Sequence, residues 1–443
     1  MLDNLTAARE QMALSLAFHI VFAVFGVGMP WLLLFAERRY LVTGDQIWYL
    51  LARRWSRAFA VVFAVGAVSG TVLSFEFGLL WPTFMQRYGG VFGISFTLEA
   101  FAFFLEAIFL GLYLYGWERL PARAHWWTGV PVAVSGVASA LFVTTANAWM
   151  NTPVGFTESG GVVVAADPWA PFLAPASPHQ IVHMLLGAFL CTGFGVASVY
   201  AVALLRGRRD TYHRRGFAVG LTFGAVAAPL QVVVGDWATR AVAEQQPVKF
   251  AALEDLPSTG PNAPLAIGPL HLPSGLSLLL HGRTDAVVPG LDQAVPADRP
   301  PVEITHYSFD LMVVIGVGLV ALAGWALWRW RRRRASLVDS PWFLRAVVAA
   351  GPAAAVALLA GWVTTEVGRQ PWIVHLALRT PDAVSDQPGL FVYFYATVVI
   401  YAILSTSLVA ILRRLARSPM PSFPPSVSPT PAPAAAAQER VGS

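Results

Sequence analysis

Nine stretches of the chain, at roughly 11–35, 58–81, 94–116, 128–149, 181–204, 217–236, 306–328, 345–366 and 389–412, are apolar over the ~20 residues that a helix needs to cross a bilayer. A chain with its backbone in lipid must satisfy every peptide group internally, so spans of this length are helices. The composition agrees: of 443 residues 56% are hydrophobic and 12% charged, with mean hydropathy +0.58, whereas soluble domains carry about a quarter charged residues. These features argue against a soluble enzyme and point to an all-α polytopic membrane protein. The net charge of +5 does not indicate a nucleic-acid partner; its distribution sets orientation instead.

The breaks after spans one, three, five and seven carry Arg38, Arg39, Arg53, Arg54 and Arg57, then Arg119 and Arg123, then Arg206, Arg208, Arg209, Arg214 and Arg215, then "RWRRRR" at 329–334. The other breaks are nearly free of arginine. By the positive-inside rule the odd-numbered breaks and the C-terminus are cytoplasmic and the N-terminus is outside. Arg9 and Glu10 precede the first span with no small-residue cleavage site after it, so no cleaved leader is expected. The division that follows is 1–236 with spans one to six, an outside loop at 237–305, 306–417 with spans seven to nine, and a Pro/Ser/Ala-rich tail at 418–443 expected to be disordered. A loop of that length is either functional or disordered. It contains "QQPVKFAALED", with Lys249 the only lysine of the chain. The single cysteine, Cys191, lies in an apolar stretch and reads as a core residue.

Ionisable groups inside spans are costly and mark function by default. His19 in "LSLAFHIVF", His183 in "SPHQIVHMLL", Met312 in "HYSFDLMVV" and Glu366 in "TTEVGRQPW" all sit toward the outer ends of their spans. Singly, a span histidine is more often a helix–helix hydrogen-bond donor and a methionine a packing residue. Together they form a set of candidate iron ligands, because imidazole with thioether is an axial pair of electron-transfer haems. In span three, Glu99 and Glu106 are seven residues apart and share one helical face, about 10 Å apart along the axis. Two acids in register suit a proton relay; the plainer reading is that each bonds a neighbouring helix.

Several phrases resemble one family: "WVTTEVGRQPW" at 362–372, "QMALSLAFHI", "FEFG" at 75–78, "AFFLE" ending at Glu106, "YGWERL", "ANAWMNTP" at 146–153, "HQIVHM", "KFAALE" and "FDLMV". With these the chain, from Met1 to about Arg417, is identified as a member of the subunit I family of cytochrome bd-type quinol oxidases. "EAIFLGLYLYGW" resembles its cyanide-insensitive branch. The resemblance implies two four-helix bundles plus a peripheral ninth helix, and three haems: two haem b and one haem d, or a third b-type haem. It implies that His183 and Met312 hold the low-spin haem b, and that His19 and Glu366 serve the other two. Arg369 would neutralise a propionate, Trp372 would pack on the porphyrin, Trp362 would lie between haems, and Pro371 would end the helix. Lys249 and Glu254 match its quinol-loop residues, Lys249 holding the ring oxygen and Glu254 taking the proton. Its implied partners are a homologous membrane subunit II, a small single-span subunit in some members, quinol and O2, in the bacterial cytoplasmic (inner) membrane.

The implied activity is quinol oxidation outside and reduction of O2 to water with cytoplasmic protons carried by Glu106 and Glu99, giving a proton motive force without pumping. Two departures stand out. Asp310 occupies a position where one branch has arginine, which is expected to lower the potential of the low-spin haem. The two acids are seven residues apart where some members have eight. The alternatives are a b-haem quinol dehydrogenase serving a partner other than oxygen, which would not need both His19 and Glu366, and a secondary transporter, which would show inverted repeats that are not visible here.

Overall fold

The structure, a computed structural model, describes residues 3–332 and 337–418. Arg333 and Arg334 of the arginine cluster and the tail beyond 418 lie outside the described residues. In chain order the helices are α1 (Asn4–Thr43), α2 (Gln46–Leu80), α3 (Pro82–Gly116), α4 (Ala122–Asn151), α5 (Ala170–Leu173), α6 (Ser177–Leu205), α7 (Thr211–Gln245), α8 (Pro247–Leu253), α9 (Gly275–His281), α10 (Val302–Arg332), α11 (Pro341–Val367) and α12 (Leu390–Arg417). Among the described residues, nine of these helices, all but α5, α8 and α9, are long and apolar enough to cross a membrane.

The helix boundaries have local causes. Asp3 caps α1 by accepting the Thr6 N–H at 2.8 Å. At its other end Gly44 takes the left-handed conformation (φ 68°), where a side chain would be strained. Asp45 then caps α2 and Asp210 caps α7 through their carboxylates. Prolines 30, 131, 229 and 352 lie inside long helices, which neighbouring helices make tolerable in a membrane span.

Helices α1–α4 pack as one four-helix bundle and α6, α7, α10 and α11 as a second, joined where α6 meets α1 and α4; α12 lies outside, against α1 and α2. One hydrophobic core runs through both bundles, from Ile20 and Phe59 to Phe194, Phe217 and Phe343. Cys191 belongs to it, with its Sγ 3.2 Å from the Ala354 carbonyl. Between α4 and α5 the chain forms the hairpin β1 (Phe156–Ser159)–β2 (Val162–Ala166). The segment between α7 and α10 is folded: α8, α9 and the hairpin β3 (Leu265–Ile267)–β4 (Leu270–Leu272) enclose a small core of Phe250, Leu256, Leu276, Val288 and Leu291. Calling the end of the bundles that carries this segment the loop end, α1, α3, α6 and α10 start there and α4, α7 and α11 finish there.

Candidate functional site

His19, His183, Glu99 and Glu366 are each met by a hydrogen-bonding neighbour. His19 on α1 lies against α2, its Nδ1 3.1 Å from Ser69 Oγ. The single proton of the Ser69 hydroxyl is shared by the Val65 and Gly66 carbonyls at 2.9 and 3.0 Å, which assigns the donor role to His19 Nδ1 and the open lone pair to Nε2. Gly70 makes the approach possible, because a Cβ there would stand 2.9 Å from His19 Cε1. Met312 on α10 has the same kind of neighbour, since a Cβ at Gly361 of α11 would stand 2.6 Å from its sulfur. His183 on α6 shares a hydrogen bond of 3.0 Å with Gln231 of α7 through Nε2, while its Nδ1 is buried without a partner.

Glu366 sits at the end of α11 and uses both oxygens: Oε1 accepts from Asn147 on α4, and Oε2 pairs with Arg369 Nη2 at 2.6 Å. Asn147 in turn accepts from Asn151 Nδ2, at 2.9 Å on its carbonyl and 3.2 Å on its side chain. Asn151 Oδ1 takes a hydrogen bond of 2.8 Å from Lys249 Nζ, which also donates to the Thr365 carbonyl at 3.1 Å. A continuous polar chain therefore runs Arg369–Glu366–Asn147–Asn151–Lys249, from the last turn of α11 into the loop-end segment. Burial, reinforced by the Arg369 guanidinium, pulls the Lys249 ammonium down to about 7, with Glu366 acting the other way. His375 is pulled down to about 4 by burial and by the same two cations.

The helix does not run to Pro371 as the sequence suggested. It stops at Val367, and the Gly368 N–H bonds back to the Thr364 carbonyl. A Cβ on Gly368 would stand 2.5 Å from that carbonyl and 3.0 Å from Lys249 Cε, so the chain turns where the lysine stem packs against bare backbone. Arg369 is turned inward and 3% exposed. Trp372 leads the hairpin β5 (Trp372–Val374)–β6 (Leu378–Arg379), and the Arg379 guanidinium covers its ring at 4.7 Å.

Lys249 and Glu254 do not converge. Five residues apart, they are about 140° apart around a helix. Glu254 faces α10 instead, where burial and then the Asp310 carboxylate push it up to about 8. Asp310 accepts from the Gly268 N–H and lies 3.3 Å from His306 Nε2, whose Nδ1 bonds the Leu253 carbonyl at 2.7 Å. The departure at position 310 thus anchors the loop-end segment onto α10. On α3, Glu99 accepts from Ser139 Oγ at 3.1 Å, and Glu106 is buried between Gly26 and Gly136 with Oε1 unpartnered. Both acids face α4, in register as their spacing predicted.

The residues present fit haem. His19 Nε2 and the Met312 sulfur are donors of the right chemistry, and ligation by His183 Nε2 would exchange one hydrogen bond to Gln231. Arg369 Nε and Nη1 and Trp362 Nε1 are buried donors with no acceptor, the complement of an anionic group such as a propionate. Glu366 keeps lone pairs free beyond its two hydrogen bonds. Sequence reasoning missed Asn147, Asn151, Ser69, Gln231 and His375. The signal available for the asparagines was their spacing of four, which puts two amides on one face of an apolar helix.

Comparison with known proteins meets this geometry. Residues 7–420 match the family model for cytochrome bd terminal oxidase subunit I. A subunit I of Bacillus subtilis (strain 168) named as a menaquinol oxidase is 34% identical over 429 residues, 93% of this chain and 96% of its own. Cytochrome bd ubiquinol oxidase subunit 1 of the same organism is 32% identical over 440 residues, covering 93% of each chain. The solved bd oxidase from Geobacillus thermodenitrificans superposes with a TM-score of 0.87 at 36% identity, covering 94% of this chain and 98% of that one. With near full-length agreement in sequence and in the arrangement of its membrane helices, the chain belongs to the cytochrome bd terminal oxidase subunit I family.

Proposed function

We propose that this subunit oxidises quinol at its loop end, facing outside the bacterial inner membrane, and reduces O2 to water within its helices using cytoplasmic protons. The N-terminus is then outside and the C-terminus cytoplasmic, and the charge moved across the membrane comes from chemical protons without pumping. The functional division is 1–236, the quinol-binding segment 237–305, 306–417 and the tail. Subunit II and, in some assemblies, a small single-span subunit complete the enzyme. The names of the relatives supply the substrate class, ubiquinol or menaquinol.

Two haem b and a haem d, or a third b-type haem, supply electron transfer and oxygen chemistry when bound. His183 and Met312 would hold one, His19 and Glu366 would serve the others, Arg369 would pair with a propionate and Trp372 would pack against a porphyrin, and Trp362 lies one turn from Glu366 on the same face. Lys249 and Glu254 border the quinol from different faces of α8: Glu254 accepts a proton, and Lys249 holds the ring oxygen from the end of the polar chain. Glu106 and then Glu99 pass protons from the cytoplasmic side along α3.

The observation that carries this reading is the hydrogen-bonded chain from Lys249 to Glu366, which joins the proposed substrate segment to a proposed cofactor ligand without a gap. A reduced-minus-oxidised absorption spectrum of the complex with its partner, followed by carbon monoxide, tests it. A low-spin b signal plus a CO-binding component is expected, and His183→Ala should remove only the first. A single low-spin haem with no CO response would replace the oxidase reading with a quinol dehydrogenase.

A further inference from the structure

We propose that Glu76 is a proton-exchanging acid on the loop-end side of His19, answering the redox state of the group that His19 holds. Glu76 on α2 is 2% exposed. It accepts from Ser15 Oγ at 2.7 Å and from Gln11 Nε2 at 3.0 Å, both through Oε1. Its Oε2 is buried with no partner, and so is Gln11 Oε1. On α12, Thr397 Oγ1 lies 3.4 Å from the Gln11 amide, and the Tyr401 hydroxyl faces Ser15 and Glu76 without a hydrogen-bond partner. Among the described residues no lysine, arginine or histidine pairs with Glu76. On the elements packed against it, the titratable groups are Tyr401 of α12 and, one turn inward from Ser15, His19 of α1.

The placement gives this acid a direction. Gln11, Ser15 and His19 recur every four residues and form one polar stripe on α1. Ser69, which holds His19, and Glu76 are seven apart and share a face of α2. The two stripes meet, so a polar seam leads from His19 to Glu76, four residues short of the end of α2. A buried acid with no counter-charge is sensitive to any charge that appears nearby, because little solvent screens it. The plain alternative, a hydrogen-bonded clamp between helices, would leave no unpartnered oxygens; here two of the carboxyl–amide oxygens and the phenol are unspent.

The step balances simply. When an electron leaves the group at His19, the Glu76 O–H bond breaks, the carboxylate keeps the electron pair, and the proton passes to water at the loop end. When an electron arrives from quinol, one proton returns. This inference rests on the reading that His19 holds a redox-active haem.

Reduced-minus-oxidised infrared spectroscopy on the complete complex tests it, with visible spectra recorded on the same samples. The wild type should show a carboxylic C=O difference band that Glu76→Gln loses and Glu76→Asp shifts, with the visible spectrum retained. Where Glu76→Gln does not assemble, Glu76→Asp decides alone: a shifted band supports the proposal. Carboxyl bands that coincide in wild type and variant, on intact visible spectra, overturn it. His19→Ala separates the underlying reading: if the visible spectrum survives that change complete, the ligand assignment fails, whatever Glu76 does.

Discussion

Lys249 and Asn151 are joined by a hydrogen bond of 2.8 Å between the buried ammonium and the side-chain amide oxygen. That bond crosses from the loop-end segment to the last turn of α4, and through Asn147 it reaches Glu366. Replacing Asn151 by leucine keeps much of the volume and removes the acceptor. The ammonium then keeps only the Thr365 carbonyl, at a cost of about 1–3 kcal/mol for a buried donor left unmet. The expected result is a lower thermal midpoint together with a perturbed absorption of the Glu366-associated haem. A spectrum identical to wild type, with quinol kinetics unchanged, would show that the chain transmits nothing.

Glu254 sets an expectation for pH. Its pKa is raised to about 8 by burial and Asp310, and it can accept a quinol proton only as the carboxylate. Turnover limited by quinol oxidation should therefore rise as pH climbs toward that value and fall about tenfold per unit well below it. Asp310→Asn removes the neighbouring negative charge, so the limb should move to lower pH; Glu254→Gln should flatten it. Steady-state rates across pH at saturating quinol check this, and a limb unmoved in Asp310→Asn would count against Glu254 as the base.

The spans were legible because lipid demands contiguous apolar residues and arginine marks the breaks. Their lengths were not: α1 runs 40 residues, from Asn4 to Thr43, because a helix continues past the hydrocarbon wherever caps such as Asp3 and Gly44 permit. His19, Glu99, Glu106 and Glu366 were legible as ionisable residues in expensive places. Asn147, Asn151, Ser69 and Gln231 were not, since neutral polar side chains are tolerated in spans and only tertiary packing chooses their partners. Lys249 stood out on local grounds only as the one lysine of the chain, in a long loop. Its burial depends on Gly368, more than a hundred residues away in sequence, and on an asparagine of another bundle.

Gly361→Ala tests the pairing of α10 with α11. A methyl would fall 2.6 Å from Met312 Sδ, closer than any stable contact, so the thioether must move. Overpacking of this kind costs about 1–3 kcal/mol, and the low-spin b signal should weaken or turn high-spin while the components tied to His19 persist. An unaltered low-spin signal in a folded variant would remove Met312 from the ligand set.

Ser69→Ala isolates the partner of His19. The hydroxyl fixes the ring with Nδ1 protonated, because its single proton is shared between the Val65 and Gly66 carbonyls and it meets the imidazole as an acceptor. Without it the ring loses both its orientation and the acceptor that raises its basicity as a ligand. Loss of such a supporting hydrogen bond typically weakens metal binding by about 10–100-fold. The expected signature is partial loss of one haem component, made good by Ser69→Thr, which restores a hydroxyl on the same Cβ. A variant with full haem content and an unshifted potential would mean that helix packing against Gly70 alone holds the ring in place.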